Sequence, residues 1–294
     1  MKAFLFPGQG SQYSGMGNDF AVYEEAKEFY KRAEDVLGFD IVSIMNGDDE
    51  TLKITENAQP AIFLTSYIAY KEMLKKGIEP DIAAGHSLGE YTAFAAAGVY
   101  DFDTGLYIVR KRGEFISNAL EPGKGTMAAI IGLPFHEVED AISDIENVWP
   151  ANYNDPTQIV ISGLKEAVHK AMEVLKERGA RKVVELKVSG PFHTPLIEKA
   201  AEEMEKLLSQ IKFHEPKFPI VLNVTATEST DPGEMKRYLI EQIVGPVRWL
   251  QSIERMKELG VEQYFEVGPK TVLKGLGRKN GIKVIHFGEV IKVD

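Results

Sequence analysis

Cysteine is absent from the 294 residues, which removes disulfides, thiolate nucleophiles and cysteine-ligated zinc together. Covalent chemistry therefore needs another nucleophile. Positive charge is also scarce: 34 lysines and arginines face 44 aspartates and glutamates, a net charge of −10. No global positive field recruits nucleic acid or an anionic membrane. No segment approaches the length of a membrane span, and Ala3-Phe4-Leu5-Phe6 is too short an apolar stretch for a signal peptide. Internal repeats and low-complexity tracts are lacking. These absences point to a cytoplasmic globular enzyme. With 44% hydrophobic and 27% charged residues, the chain has enough apolar side chains for one large or two ordinary domains.

What is present reads as an α/β pattern. Residues 3–6 predict a short buried strand ended by Pro7-Gly8-Gln9-Gly10, so a glycine-rich loop follows it. Apolar residues at helical spacing (Phe20, Ala26, Phe29, Tyr30, Ala33, Leu37) predict a helix closed by Gly38. Residues 60–74 predict a second helix, apolar nearly all round and hence buried on several sides, with its end at Lys75-Lys76-Gly77. A strand at 81–85 is followed at once by a helix at 88–97.

Between Thr126 and Val188 the order changes to strand (127–131), helix (135–145), strand (149–152), strand (158–162), helix (165–178) and strand (182–188). This βαββαβ order predicts an inserted ferredoxin-like subdomain, residues 125–189, between the hinge-like Pro122-Gly123-Lys124-Gly125 and Ser189-Gly190-Pro191. Residues 1–124 and 190–294 then form the main α/β domain, resumed by a helix at 196–211 and strands at 220–224, 263–267 and 284–287.

The sharpest chemical signal is Gly85-His86-Ser87-Leu88-Gly89, set between a predicted strand and a predicted helix. A tight turn there lifts the serine oxygen clear of the sheet, and the Leu88 amide at the helix start can hold an oxyanion. Ser87 is thus a candidate nucleophile, against the plainer reading of a serine-capped turn. Serine needs a base. Of the six histidines, His169 lies on a charged helix, His136 near a helix start, His214 in a surface loop and His286 in a late strand. His86 adjoins Ser87, but neighbours across a tight elbow point apart. His193 lies 106 residues after Ser87 in Gly190-Pro191-Phe192-His193-Thr194-Pro195, a turn stiffened by proline on both sides. A loop or helix-capping histidine is the alternative there.

The first loop offers Gly8 and Gly10, but Tyr13 stands where a dinucleotide fingerprint needs its third glycine. The Gln9 amide as a second oxyanion donor is the other reading. A phosphate-binding loop around Lys270 is discarded because Tyr264 and Pro269 occupy both required glycine positions. Arg110 and Arg112 fall in the helix after the elbow, where a solvated basic face competes with a buried planar fork for a carboxylate. Spacing does not choose between them.

The whole constellation resembles the malonyl-CoA:acyl carrier protein transacylase family over nearly the full length. The resemblance is carried by Phe6 to Gln12, Gln59-Pro60-Ala61, Gly85 to Glu90, Arg112-Gly113, Gly190 to His193, Gly245-Pro246-Val247-Arg248-Trp249 and Glu266-Val267-Gly268-Pro269. It implies a hydrolase-like α/β core with the ferredoxin-like insertion. It further implies that Ser87 is acylated, His193 is its base and Arg112 binds the malonyl carboxylate. Gln9 and Leu88 would supply the oxyanion amides, and the main-chain carbonyl at Gln242 would orient the histidine. The implied reaction carries malonyl from malonyl-CoA to the phosphopantetheine thiol of acyl carrier protein through a seryl ester, without a cofactor or metal. An esterase or thioesterase on the same elbow is the rival. Lys270 departs from the family pattern, where many members carry a second glycine, without touching the catalytic groups. An acidic carrier docking on an acidic chain calls for a local basic patch, expected from Arg181, Lys182, Lys187, Lys274, Arg278 and Lys279.

Overall fold

The computed structural model describes residues 1–292. Its main sheet is built on β1 (Lys2–Phe6), in which four consecutive residues, Ala3 to Phe6, are fully buried. Side chains alternate across a strand, and both faces of this one are covered. Phe4 and Phe6 enter a core formed with helices on one side, while Ala3 and Leu5 pack with Trp249, Ile253 and Met256 on the other.

Among the described residues nine further strands follow: β2 (Ile82–Gly85), β3 (Gly125–Ile131), β4 (Val148–Asp155), β5 (Gln158–Leu164), β6 (Lys182–Glu185), β7 (Ile220–Val221), β8 (Glu228–Ser229), β9 (Gln263–Glu266) and β10 (Val284–His286). The main sheet has the order β10-β9-β1-β2-β7-β8, parallel except for the β7/β8 pair at one edge. The site lies where β1 and β2 end side by side, Phe6 being the register partner of Gly85.

The expected elements occur, with instructive differences. The predicted first long helix is broken into Met16–Phe20 and Ala26–Leu37, since Val22 is 55% exposed and the apolar stripe lapses there. The buried helix begins at Thr55 rather than Pro60 and runs to Lys75. Proline in a helix interior leaves the carbonyl four residues earlier without its N–H partner. Here that carbonyl, on Glu56, accepts from Arg110 Nη1 at 2.8 Å instead.

The second sheet, order β4-β5-β3-β6, is antiparallel throughout. Helices Phe135–Ile142 and Lys165–Glu177 cover one face through Val138, Ala141, Val168, Ala171 and Leu175. The other face carries Met127, Ala151 and Val160, against which Leu186, Val188 and Phe192 pack. β6 stops at Glu185, short of the predicted 188; Leu186 N–H still donates to the Met127 carbonyl at 2.8 Å, and Leu186 to Val188 line the cavity described below. Paired main-chain bonds tie β4 to the main unit: Val247 N–H donates to the Ala151 carbonyl and Tyr153 N–H to the Val247 carbonyl. Among the described residues, no helix is long and apolar enough to cross a membrane.

Candidate active site

The turn after β2 is forced into shape by close backbone packing. A Cβ on Gly85 would lie 1.9 Å from the Gly89 carbonyl carbon, and one on Gly89 would lie 2.0 Å from the Phe6 carbonyl oxygen. Only glycine fits at either position. Between them Ser87 adopts φ 52° and ψ −109°, a conformation costly for a residue with a side chain. The helix Leu88–Ala97 starts directly after it. The hydroxyl is thereby presented at the mouth of the sheet, half-buried on the wall of a cavity of about 350 Å³.

His193 reaches that hydroxyl from the turn after the second sheet. Its Nε2 lies 2.8 Å from Ser87 Oγ. Its Nδ1 lies 2.8 Å from the Gln242 carbonyl and 3.1 Å from the Gly245 carbonyl. Both carbonyls can only accept, so Nδ1 carries the hydrogen and Nε2 is left as an acceptor facing the serine. Burial, and secondarily the Arg112 charge, hold the imidazole down to about 3 from its usual 6.5, so it is neutral across the physiological range.

The two candidate arginines differ in their surroundings. Arg110 is occupied by Glu114, the Glu56 carbonyl and Asn57. Arg112 is 4% exposed and stands 4.9 Å over the Tyr91 ring. It donates from Nη1 to Gln59 Oε1 at 2.9 Å, and from Nη2 to Gln242 Oε1 at 3.0 Å and Ser87 Oγ at 3.3 Å. These three acceptors are neutral, and among the described residues its Nε has no partner. A buried guanidinium whose partners are all neutral keeps the capacity to pair with a carboxylate.

The amides of Gln9 and Leu88 donate to no acceptor among the described residues, so both are free to meet a developing oxyanion. The Gln9 side chain is anchored by donation to Thr55 Oγ1 at 3.1 Å. Three of the five remaining histidines are engaged elsewhere. His86 turns away to Asn154 Oδ1 at 2.8 Å, His169 pairs with Glu185, and His286 meets the Gly268 carbonyl.

Of the expected basic patch, Lys187 lies at the cavity. Lys274 is instead paired with Glu289, and with Arg278 it lines a separate depression.

Sequence reasoning assigned no role to four polar groups behind the site, Gln59, Glu90, Asn223 and the Gln242 side chain, each no more than 1% exposed. Asn223 Oδ1 accepts the Ser87 amide at 2.8 Å, while its Nδ2 donates to the Gly85 carbonyl at 2.6 Å. Burial pushes the Glu90 carboxyl up to about 8, against the pull of Asn223, Gln242 and Arg112.

A serine raised on a strained elbow, an imidazole able to take its proton and two free amides are the parts of an acyl-transfer site. Independently, the acyl transferase domain family matches residues 3–284. The malonyl CoA-acyl carrier protein transacylase of Bacillus subtilis (strain 168) is 44% identical over 285 residues, 94% of this chain and 89% of that protein. The crystal structure of an acyl carrier protein S-malonyltransferase from Vibrio cholerae O1 superposes with a TM-score of 0.93 at 39% identity, covering 97% of this chain and 96% of that one. A malonyl-transacylase solved in complex with a type II PKS acyl-carrier protein gives 0.91 at 36% identity, covering 97% and 94%. The chain belongs to the malonyl CoA-acyl carrier protein transacylase family.

Proposed function

We propose that this chain transfers malonyl from malonyl-CoA to the phosphopantetheine thiol of an acyl carrier protein, supplying malonyl units for fatty acid synthesis. Ser87 Oγ attacks the thioester carbonyl while His193 Nε2 takes its proton. The charge that develops on the carbonyl oxygen is met by the Gln9 and Leu88 amides. The C–S bond then breaks, and the proton on His193 goes to the departing CoA sulfur. In the second half, the carrier thiol gives its proton to His193 and attacks the ester carbonyl, the C–O bond to Ser87 breaks, and His193 returns the proton to Ser87 Oγ.

Arg112 holds the malonyl carboxylate, which also serves the base. The Arg112 charge is the second cause that depresses His193. A bound carboxylate offsets that charge and raises the basicity of the imidazole, which an acetyl group does not do. The imidazolium formed in transit faces the Gln242 and Gly245 carbonyls in place of a triad carboxylate.

The observation that carries this reading is the convergence on Ser87 Oγ of His193 Nε2 at 2.8 Å and Arg112 Nη2 at 3.3 Å. A hydrolase needs the first, but only a carboxylated acyl group uses the second. The chemistry calls on no resident cofactor or metal. The βαββαβ order and the β4-β5-β3-β6 sheet support a ferredoxin-like subdomain over residues 125–189, inserted in a hydrolase-like domain of residues 1–124 and 190–294.

Intact-protein mass after mixing with malonyl-CoA tests the proposal. The protein should gain one malonyl group, keep it until holo acyl carrier protein is added, and gain nothing as Ser87→Ala. Rapid release as free malonate without the carrier would make the chain a thioesterase.

A further inference from the structure

Behind Ser87, His193 and Arg112 lies a layer of polar groups that the acyl-transfer steps do not use. Glu90 is the one charged residue of the helix Leu88–Ala97, which is buried along its whole length. Its Oε1 accepts from the Asn223 main-chain N–H at 2.7 Å, and its Oε2 accepts from Gln242 Nε2 at 2.6 Å. The same Nε2 donates to the Ser87 carbonyl at 2.8 Å, while Gln242 Oε1 accepts from Arg112 Nη2 at 3.0 Å. One hydrogen-bonded chain therefore runs from the Asn223 N–H through Glu90 and Gln242 to Arg112.

Both ends of this chain are obligate donors, because neither a peptide N–H nor a guanidinium can accept. Such a chain closes only if one link accepts on both sides. A carboxylate does this; a carboxamide, with one oxygen and one NH₂, does not. With an amide at position 90, its oxygen would go to the fixed Asn223 N–H and its NH₂ would face Gln242. The Gln242 amide would then have to turn over, setting NH₂ against Arg112 and oxygen against the Ser87 carbonyl. Two buried contacts would become repulsive at once.

We propose that Glu90 is a positioning residue for carboxylate recognition: as the double acceptor of this chain it fixes the Gln242 amide, and the Gln242 oxygen aims the Arg112 fork beside Ser87. The consequence for the substrate rests on the reading of Arg112 given above. Burial outweighs the surrounding donors and raises the Glu90 carboxyl to about 8, so the double acceptor is complete above that pH, where the comparisons below are made. The acid is kept in this costly place because the polarity of the chain demands it.

The test compares Glu90→Gln with the exchange Glu90→Gln/Gln242→Glu in the whole chain. Thermal melting is measured beside single-turnover acylation by malonyl-CoA and by acetyl-CoA. Glu90→Gln should slow malonyl acylation about ten-fold or more, as expected for a lost charge-assisted hydrogen bond, and lower the malonyl-to-acetyl rate ratio about five-fold. The exchange moves the double acceptor to position 242, so it should melt above the single variant, while its malonyl preference stays low because Arg112 is then paired within the protein.

A folded Glu90→Gln protein with the original malonyl-to-acetyl ratio overturns the proposal. So does an exchange variant that melts at or below the single one, and this comparison still decides if the single variant fails to fold. Arg112→Ala, run alongside, separates the two layers of the argument. If it leaves the ratio unchanged, the assignment of Arg112 fails, while the melting comparison still judges Glu90.

Discussion

The Gln242 carbonyl oxygen stands 2.8 Å from His193 Nδ1, and the amide oxygen of the same residue stands 3.0 Å from Arg112 Nη2. One side chain and its own backbone thus orient both the imidazole proposed as the base and the guanidinium proposed to read the substrate.

His193→Ala should slow acylation of Ser87 by about 10²- to 10⁴-fold with far-UV circular dichroism unchanged. In the unaltered protein the pH profile of acylation should lack an acid limb near 6.5, since burial and Arg112 hold the imidazole down to about 3. Stopped-flow acylation between pH 5 and 8 is the check, and an inflection near 6.5 would reassign the base.

The same imidazole has a signature in stability. Its pKa is lower in the folded protein than in the unfolded chain, so the unfolded chain binds more protons between pH 6.5 and about 3. The contribution is full above 6.5 and is lost as pH falls toward 3. Glu90 runs the other way, its raised pKa weakening the fold as pH climbs from 4.5 toward about 8. His193→Gln, melted beside the parent from pH 7 to 4, should therefore lose less stability on acidification than the parent does.

Arg112→Ala should reduce malonyl transfer by roughly ten- to a hundred-fold, the worth of a charged hydrogen bond, and acetyl transfer far less. Competition between the two thioesters for one enzyme sample gives the ratio directly. An equal loss for both would assign Arg112 to the elbow rather than to recognition.

Gly85→Ala should unfold or severely destabilise the chain. The added methyl meets the Gly89 backbone at 1.9 Å, and backbone cannot yield as a flexible side chain does. Overpacking alone costs about 1–3 kcal/mol, and here the cost should lie at or beyond the top of that range in a denaturant melt.

The elbow was legible because its cause is local: a strand, two glycines around a serine and a helix lie within sixteen residues, Ile82 to Ala97. The second sheet was legible for the same reason, its elements following one another along the chain. Arg112 could not be told from Arg110 because both sit in one helix, and only the tertiary packing shows that Arg110 is spent on the carbonyl freed by Pro60. Glu90 did leave a trace, as the one charged residue of the helix Leu88–Ala97, whereas Gln59 follows the polar residues Thr55, Glu56 and Asn57 and does not stand out from them. Asn223 left none. Its partners Ser87 and Gly85 lie 136 and 138 residues away, beyond any local periodicity.

A cation sealed against the Tyr91 ring with only neutral acceptors is energetically uncomfortable, and on the proposed role of Arg112 a free dicarboxylate would relieve it. Malonate without any thioester should therefore behave as a protective additive, lifting the melting temperature in proportion to the logarithm of its concentration once the site fills. Acetate at equal ionic strength should protect far less. Heat resistance would then report how well supplied the enzyme is with the acids it handles.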